Sequence, residues 1–476
     1  FGSSLFSACK RALCPFSVNR PASGEMGADA DNHPVAVTAA AAGAAATCSA
    51  AAAVVPLVMA PMGSARPKRQ PPNGHRRGAV AGRRQRATRP PPTELLGRDQ
   101  QQVIPAVAAS IVARMTAHLA MPEVQEQACK ALTDAIQHIP EHQDDAAAAG
   151  AMQAVLNAID AHPGSPSLQC ICISAIERIC AGHAENVSML LEGCGAKTIF
   201  RAMGSYPHDV ALQDIGCKVI RNAAACNANC QHRVAELGGL QAALRALSAN
   251  ADEASVQESG LRAVRELAAY SPANQEDIVS RSGIQLVLRA METHQARTSI
   301  QVLGCGVLRN LTATSAEHQD LVVSRGGVEV VLKTLRTHAE VAEVQRAGVW
   351  ALFCLCVHNN ELQQVLAAHG ATTFALKAMD GHRQDAQLQE AACWLLKELA
   401  KQIVSTSSAQ AMSTTQAVLK AMDRHAPVPA VQAAAGAALR SLVAHDRSGM
   451  VSAACLGRQG RFARSTTRQA LAVIKE

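Results

Sequence analysis

Aromatic residues are scarce in this sequence, which contains seven Phe, two Trp and two Tyr among 476 residues. Ala, Leu, Val and Gln are abundant instead. Ala, Leu and Gln favour α-helices, and small or aliphatic side chains let helices pack closely. We therefore expect helices that are held together by small and aliphatic side chains, without an aromatic-rich core.

Catalytic signatures are also missing. The sequence has no phosphate-binding loop, no G-x-S-x-G elbow, no H-E-x-x-H pair and no kinase motif. Its acidic residues and histidines fall at repeated positions and do not converge on one place in the sequence. We therefore predict a non-catalytic protein that uses no cofactor.

A secretory signal is not recognisable either, so the 16 cysteines do not indicate the disulfide framework of a short secreted chain. We expect them to be reduced, in a protein that is cytoplasmic, with a nuclear location as the alternative. The best metal-binding candidates are Cys217, Cys226, Cys230 and His232, but they lack paired C-x-x-C spacing, and we predict no metal site. The uncharged stretch 35–62 is Ala-rich and interrupted by proline, so we expect low-complexity sequence and no transmembrane span.

Positive charge is concentrated at the two ends. Residues 1–100 have 13 Lys and Arg against 5 Asp and Glu, and residues 446–476 have 6 against 2. Since the whole chain is +7, the middle carries −5. The most basic stretch has no acidic residue, and its nine bases are Arg66, Lys68, Arg69, Arg76, Arg77, Arg83, Arg84, Arg86 and Arg89.

This basic arm is interleaved with Pro and Gly, which predicts disorder throughout residues 1–100. Several interpretations stay open for it: a nuclear localisation signal, binding to nucleic acid or to an anionic membrane by charge, folding back onto an acidic stretch of the chain, or a solvated arm without a task. Nucleic acid is expected as a partner only through this arm.

An internal repeat dominates the middle of the chain. A Gln preceded by an aliphatic residue recurs at spacings of 44 and, at the last step, 43 residues. The eight members are Gln125, Gln169, Gln213, Gln257, Gln301, Gln345, Gln389 and Gln432. Seven residues after each Gln the residue is aliphatic, and three residues after it the residue is small. These offsets trace one face of a helix, and the small residue predicts that a neighbouring backbone approaches it closely.

Two more helices fit into each repeat. One follows a glycine in most repeats, as at Gly239 and Gly283, and a shorter one lies between the two longer helices. We therefore predict an all-α solenoid of about eight 44-residue three-helix repeats over residues 101–445, preceded by the disordered arm. Residues 446–476 are predicted to be a degenerate capping segment with a basic tail.

The three-helix repeat resembles the armadillo repeat family, as in "EVQRAGVWALFCLC" followed by "NNELQQVLAAHGATTFALKAM". The resemblance covers residues 101–445 and implies a right-handed armadillo-type α-solenoid whose third helices line a concave groove. It also implies a scaffold for binding another protein. Partner, pathway and oligomeric state do not follow from it.

A histidine recurs at the end of the second helix of most repeats. The members are His118, His162, His294, His338, His382 and His425, with Tyr206 and Asn250 in the two gaps. Successive repeats lie ~10 Å apart, too far for one metal ion to be shared. We therefore interpret this column as helix capping.

Groove candidates occupy three positions, which we number 5, 8 and 9 from the repeated Gln. Position 5 holds Lys130, Lys218, Arg262, Trp350 and Trp394; position 8 holds Arg221, Arg265 and Arg309; position 9 holds Arg178, Asn222 and Asn310. Peptide-binding members of the importin-α type carry Trp at position 5 and Asn at position 9 of one repeat. No repeat here has both, which argues against a nuclear transport adaptor.

The bases leave two interpretations open. They either form a basic groove for an acidic, extended partner segment or pair internally, since Lys130, Lys218 and Arg262 each follow an acid by four residues. Arg221, Arg265 and Arg309 lack such an acid and are the stronger candidates. The two tryptophans are expected to be at least half-exposed and to contact the partner.

Overall fold

The computed structural model describes residues 96–136, 139–452 and 454. Residues 1–95 of the predicted disordered region, with its basic arm, and most of the predicted capping segment lie outside the described residues. Residues 96–100 were predicted to be disordered too, but they belong to the first described helix, Leu96–Ala117. The described part contains 23 α-helices. None of these helices is long and apolar enough to cross a membrane.

The helices form three rows, with one helix of each row per repeat, except that the described residues include no first helix for repeat 1. The third-helix row consists of α2 (Pro122–Ile136), α5 (Pro166–Cys180), α8 (Val210–Ala224), α11 (Ala254–Ala268), α14 (Thr298–Thr312), α17 (Ala342–Cys356), α20 (Ala386–Glu398) and α23 (Pro429–His445). The second-helix row consists of α1 (Leu96–Ala117), α4 (Ala151–Ala161), α7 (Gly195–Ser205), α10 (Gly239–Ala249), α13 (Gly283–Thr293), α16 (Gly327–Thr337), α19 (Ala371–Gly381) and α22 (Ser408–Arg424).

The first-helix row consists of α3 (Pro140–Ala148), α6 (Ala184–Glu192), α9 (Ala228–Glu236), α12 (Pro272–Ser280), α15 (Ala316–Ser324), α18 (Asn360–Ala368) and α21 (Ala400–Thr406). The predicted three-helix repeat is thereby confirmed, and the molecule is an armadillo-type α-solenoid. Each third helix packs on the third helices before and after it, so one hydrophobic core runs along the described repeats.

Five of the seven first helices, α6, α9, α12, α15 and α18, begin at polar capping residues. In α9 and α15 the side chains of Asn227 and Ser315 accept a hydrogen bond from the N–H three residues later, at 2.8 and 3.2 Å. This satisfies one of the N–H groups that a helix leaves without a partner in its first turn. Asp446 stands at the same place after the last repeated Gln and accepts the N–H groups of Ser448 and Val451.

The repeated Gln connects the second helix to the third. In every repeat its Nε2 donates to two carbonyl groups, ten and seven residues earlier, where the second helix ends. In repeat 4, for example, Gln257 donates to the carbonyl oxygens of Leu247 and Asn250, both at 2.8 Å. Gln257 is 1 % exposed, and buried carbonyls without a donor are costly. A long amide side chain at this position therefore fixes the angle between the two helices.

The small residue three positions after the Gln is explained by a side chain of the second helix. A Cβ on Gly216 would lie 2.5 Å from Sδ of Met203, and one on Gly304 would lie 2.4 Å from Cγ of Met291. A close approach was predicted, but by a neighbouring backbone, and that part of the prediction is wrong. The approaching group is a Met or Leu side chain, because the second helix ends directly against this position.

The histidine column ends the second helices as predicted, but the histidine side chains of repeats 2 and 5–8 bond the preceding repeat and not their own helix. Asn250 does both, since its Nδ2 also donates to the carbonyl oxygen of Ala246 in its own helix at 3.1 Å. Nε2 of His294 lies 2.8 Å from the carbonyl oxygen of Ala251, and Nε2 of His338 lies 2.7 Å from that of Gln295. Tyr206 and Asn250 bond the corresponding carbonyls of their preceding repeats at 2.5 and 2.8 Å. The side chains of this column thus connect each repeat from 2 to 8 to the repeat before it by a hydrogen bond.

Candidate protein-binding groove

In repeats 1–4, positions 5, 8 and 9 are at least partly exposed and follow one another along packed third helices. In repeats 3 and 5, position 9 bonds position 8 of the preceding repeat. Nδ2 of Asn222 donates to Oε1 of Glu177 at 2.9 Å, and Nδ2 of Asn310 donates to the carbonyl oxygen of Arg265 at 3.1 Å. A segment that crosses the row would therefore meet these positions in sequence order.

The position-5 bases of repeats 1, 3 and 4 are paired within their own helices. Lys130 contacts Glu126 at 2.6 Å, Lys218 contacts Asp214 at 2.7 Å and Arg262 contacts Glu258 at 2.5 Å. Each pair spans one helical turn and is partly exposed, so its contribution to stability is about 0.2–0.5 kcal/mol. These three bases therefore pair internally, which was the second of the two interpretations.

Arg265 also has an acidic partner, which the four-residue spacing did not reveal. Its guanidinium contacts the carboxylate of the adjacent Glu266 at 2.8 Å. Its side-chain stem lies against Gly306 of the next repeat, where a Cβ would come within 3.1 Å of Cδ of Arg265. Arg265 is therefore held in place between two third helices, with its charge already neutralised.

Arg178 and Arg221 differ from the other bases of the groove. Both are half-buried. Within residues 96–136, 139–452 and 454, no carboxylate lies within ion-pair distance of either guanidinium. Asn222 lies beside Arg221 on α8 and bonds Glu177, which lies beside Arg178 on α5. The two arginines therefore flank a bonded polar pair on neighbouring third helices.

Two predicted contact residues of repeat 5 are instead buried. Arg309 is 7 % exposed and Asn310 is 1 % exposed. The reason lies in their helix, which is buried continuously from Leu303 to Thr312. The expectation that Arg309 is a strong charge candidate for a partner is therefore wrong for this structure, and Asn310 serves the contact between repeats 4 and 5.

The two tryptophans are buried as well. Trp350 is 4 % exposed and Trp394 is 2 % exposed, so the prediction of at least half-exposed rings is wrong. Phe353 lies between them, with ring centroids 5.6 Å from Trp350 and 6.5 Å from Trp394. Such edge and tilted ring contacts stabilise aromatic clusters. The tryptophans belong to the joint between repeats 6 and 7.

Phe353 was not among the predicted site residues, although a signal for it exists. Residues 348–357 contain no charged or strongly polar side chain. A helix that is apolar on all sides is buried, and this run should have indicated a helix without a solvent-facing groove. The acids Glu177 and Glu266 were also missed, because they pair across repeats or with a direct neighbour.

The thiols near the groove are poor nucleophiles. Burial raises the pKa of Cys217, Cys305 and Cys393 to about 12, and burial together with Asp209 and Asp214 raises the pKa of the half-buried Cys170. His232 pairs with Glu236 at 3.1 Å on the surface. Across the described residues, no three His, Cys, Asp or Glu side chains are grouped as a metal site requires.

The fold defines the class of α-solenoid repeat proteins built from three-helix repeats. Residues 98–448 match the family model described as LRRK2 ARM repeat. The chain belongs to this armadillo repeat family.

Solved structures agree with this assignment. An engineered protein from a structural genomics programme superposes with a TM-score of 0.65 at 19% sequence identity, covering 80% of this chain and 95% of its own. A structure from work on a phosphorylation switch in the interaction between cadherin and beta-catenin superposes with a TM-score of 0.60 at 19% identity, covering 76% and 74%. Identities at this level establish the fold only. No curated protein sequence matches the chain.

Proposed function

We propose that the protein is a non-catalytic scaffold that binds an extended segment of another protein across the third helices of repeats 1–4. The observation that carries this proposal is the partly exposed row of polar side chains at positions 5, 8 and 9. The fold supports it, because stacked repeats offer long surfaces to extended partners. The similar structure named above comes from work on an interaction between beta-catenin and cadherin.

The partner segment is acidic in this proposal, and Arg178 and Arg221 are its anchors. Both guanidiniums are half-buried and have no carboxylate partner in the described part of the chain. An Arg in this state gains a charge-assisted, bidentate bond when a carboxylate arrives. Lys130, Lys218 and Arg262 contribute less, because their acids must first be displaced.

A charge-reversal pair tests the groove. Full-length protein and the variant Arg178→Glu/Arg221→Glu are compared for recovery of partners from lysate of the source cells. Each partner is then retested as a synthetic acidic segment. The matched control is Arg297→Glu/Arg325→Glu, which makes the same charge change at exposed positions outside the third helices.

We expect the groove variant alone to lose the acidic segment while circular dichroism shows an unchanged helical fold. Equal recovery by both variants would show that the partner does not use this groove.

A second proposal rests on the nine bases between Arg66 and Arg89, which lie outside the described residues. Clustered bases without an acid bind nucleic acid through its phosphates, with a steep dependence on salt. Deleting residues 61–92 should then abolish salt-sensitive binding to a nucleic-acid duplex. If the deletion variant still binds the duplex, the repeats and not the arm are responsible for that binding.

A further inference from the structure

A column of basic residues runs along the second-helix row, on different helices from those that carry the groove positions. Six consecutive second helices carry a Lys or Arg at the same register, and all six side chains are exposed. The members are Arg201, Arg245, Arg289, Lys333, Lys377 and Lys420. We call this column the outer basic row.

Most of the outer basic row is not neutralised. Arg201 pairs with Asp160 of the preceding repeat. The other five form no ion pair or side-chain hydrogen bond with the described part of the chain. Glu329, one turn before Lys333, is engaged by His369 at 2.9 Å, and Asp380 is engaged by Arg383. The acid nearest to Arg289 on the same helix face is Glu292, which follows it by three residues.

Exposed Lys and Arg residues are common on helices, so the outer basic row has to be compared with neighbouring positions of the same helices. Four residues earlier the same helices hold Lys197, Gln241, Gln285, Glu329, Thr373 and Gln416. Three residues later they hold Gly204, Ser248, Glu292, Arg336, Asp380 and Asp423. Both flanking columns mix charge and polarity freely. The outer basic row is the column of these three that holds a Lys or Arg in all six helices. This regularity indicates that a positive charge is required at that position.

The row lacks the features that other anion-binding surfaces use. The six helices carry no exposed large hydrophobic residue; those in the described part, such as Met189 and Tyr270, lie elsewhere. Membrane insertion needs such residues, and stacking on single-stranded nucleic acid needs exposed aromatic rings. What remains is a line of single positive charges, one per repeat.

The spacing of this line suits a polypeptide in the polyproline II conformation. Neighbouring packed helices lie roughly 8–10 Å apart. A polyproline II helix has three residues per turn and rises ~3.1 Å per residue, so every third side chain faces the same way at intervals of ~9.3 Å. Its backbone is fully solvated and asks for no hydrogen bonds, which a row of isolated side chains could not supply.

We propose that the outer basic row binds an acidic polypeptide segment in the polyproline II conformation, with Asp or Glu at every third residue. Each acid would meet the base of one repeat. Five bases from Arg245 to Lys420 would take a segment of about 13 residues, since four intervals of three residues separate five acids. This surface lies on the second helices, whereas the groove positions lie on the third helices.

The test uses the full-length protein and two labelled peptides of equal composition. One has Glu at every third position between prolines, and the other has its glutamates clustered. The row variant is Arg245→Gln/Arg289→Gln/Lys333→Gln. The control is Arg281→Gln/Arg297→Gln/Arg325→Gln, which removes the same charge from exposed positions off the row. Affinity is measured by fluorescence anisotropy at low salt.

The periodic peptide is expected to bind more tightly than the clustered one, and the row variant should weaken it by about 10-fold, since three exposed charge contacts are lost. The control should weaken it by less than about 2-fold. The proposal is overturned if both peptides bind alike or if both variants lose the same affinity. A nucleic-acid duplex that outcompetes the periodic peptide and depends on the row would assign the surface to nucleic acid.

Discussion

The third helices of repeats 1–4 and of repeats 5–7 share one register but not one environment. Position 8 is Arg221 in repeat 3 and half-buried, whereas it is Phe353 in repeat 6 and fully buried. In α8 eight of fifteen residues are buried, and in α17 eleven of fifteen are. The repeat therefore determines where a side chain lies along the row, but not whether solvent or a partner reaches it.

The difference follows from the side chains and not from the backbone. In repeats 1–4 the groove positions carry charged or polar residues that remain at least partly exposed, and the long charged side chains can cover apolar surface with their stems. In repeats 6 and 7 the same positions carry Trp350, Phe353 and Trp394, which gain far more free energy from mutual contact than from hydration. One half of the row is a polar surface, and the other is part of the core.

Thiol labelling gives the largest expected contrast. At pH 8 the exposed Cys194 should react with iodoacetamide readily, whereas Cys305 and Cys393 should react at least ~1,000-fold more slowly. Burial raises the pKa of both buried thiols to about 12, so they stay protonated at pH 8. Mass spectrometry of quenched digests measures the rates. Comparable rates would mean that the cores of repeats 5 and 7 open easily.

Phe353→Ala is expected to destabilise the protein by about 3–5 kcal/mol, because it removes the ring between the two tryptophans and leaves a cavity. The register-matched control Arg221→Ala should cost less than about 1 kcal/mol, since that side chain is half-buried and forms no ion pair with the described residues. Urea denaturation followed by circular dichroism measures both. Similar losses in the two variants would refute the difference between the halves.

Gly304→Ala should cost about 1–3 kcal/mol, because the new Cβ meets Met291 at 2.4 Å in a packed core. Gly204→Ala is the control: its Cβ would have nothing within 4 Å, and it replaces a helical glycine. It should be neutral or stabilise by up to about 1 kcal/mol. The double variant Gly304→Ala/Met291→Ala should recover part of the loss; a further decrease beyond the cost of Met291→Ala would show that the contact is not the cause.

The fold was predictable to the level of the repeat, because a side chain required in every repeat leaves a periodic trace. The Gln column shows this well: each member bonds the same two carbonyls at the end of its second helix, so its spacing marks the repeat boundaries. The histidine column marked the same helix ends. Its bonds to the preceding repeat were not predictable, because they join residues that periodicity alone does not bring together.

The candidate site was predictable only in part. Helical spacing was enough for the pairs of Lys130, Lys218 and Arg262, since their partners lie one turn away. It failed for Arg265, whose partner is its direct neighbour, and for Trp350 and Trp394, whose exposure depends on Phe353 and on the next repeat. Whether a side chain is buried between two repeats depends on the residues of both. The sequence pattern of a single repeat therefore does not predict it.

Lys130→Ala should have the smallest effect on stability, and it tests whether repeat 1 belongs to the polar part of the third-helix row. Loss of its pair with Glu126 is expected to cost about 0.2–0.5 kcal/mol, because both side chains are largely hydrated and 58% and 36% exposed. The effect should vanish at 1 M salt, where such pairs are screened. Urea denaturation at low and high salt measures this. A loss above 1 kcal/mol that persists at high salt would mean that Lys130 is part of the packed structure, and that repeat 1 belongs with repeats 5–7.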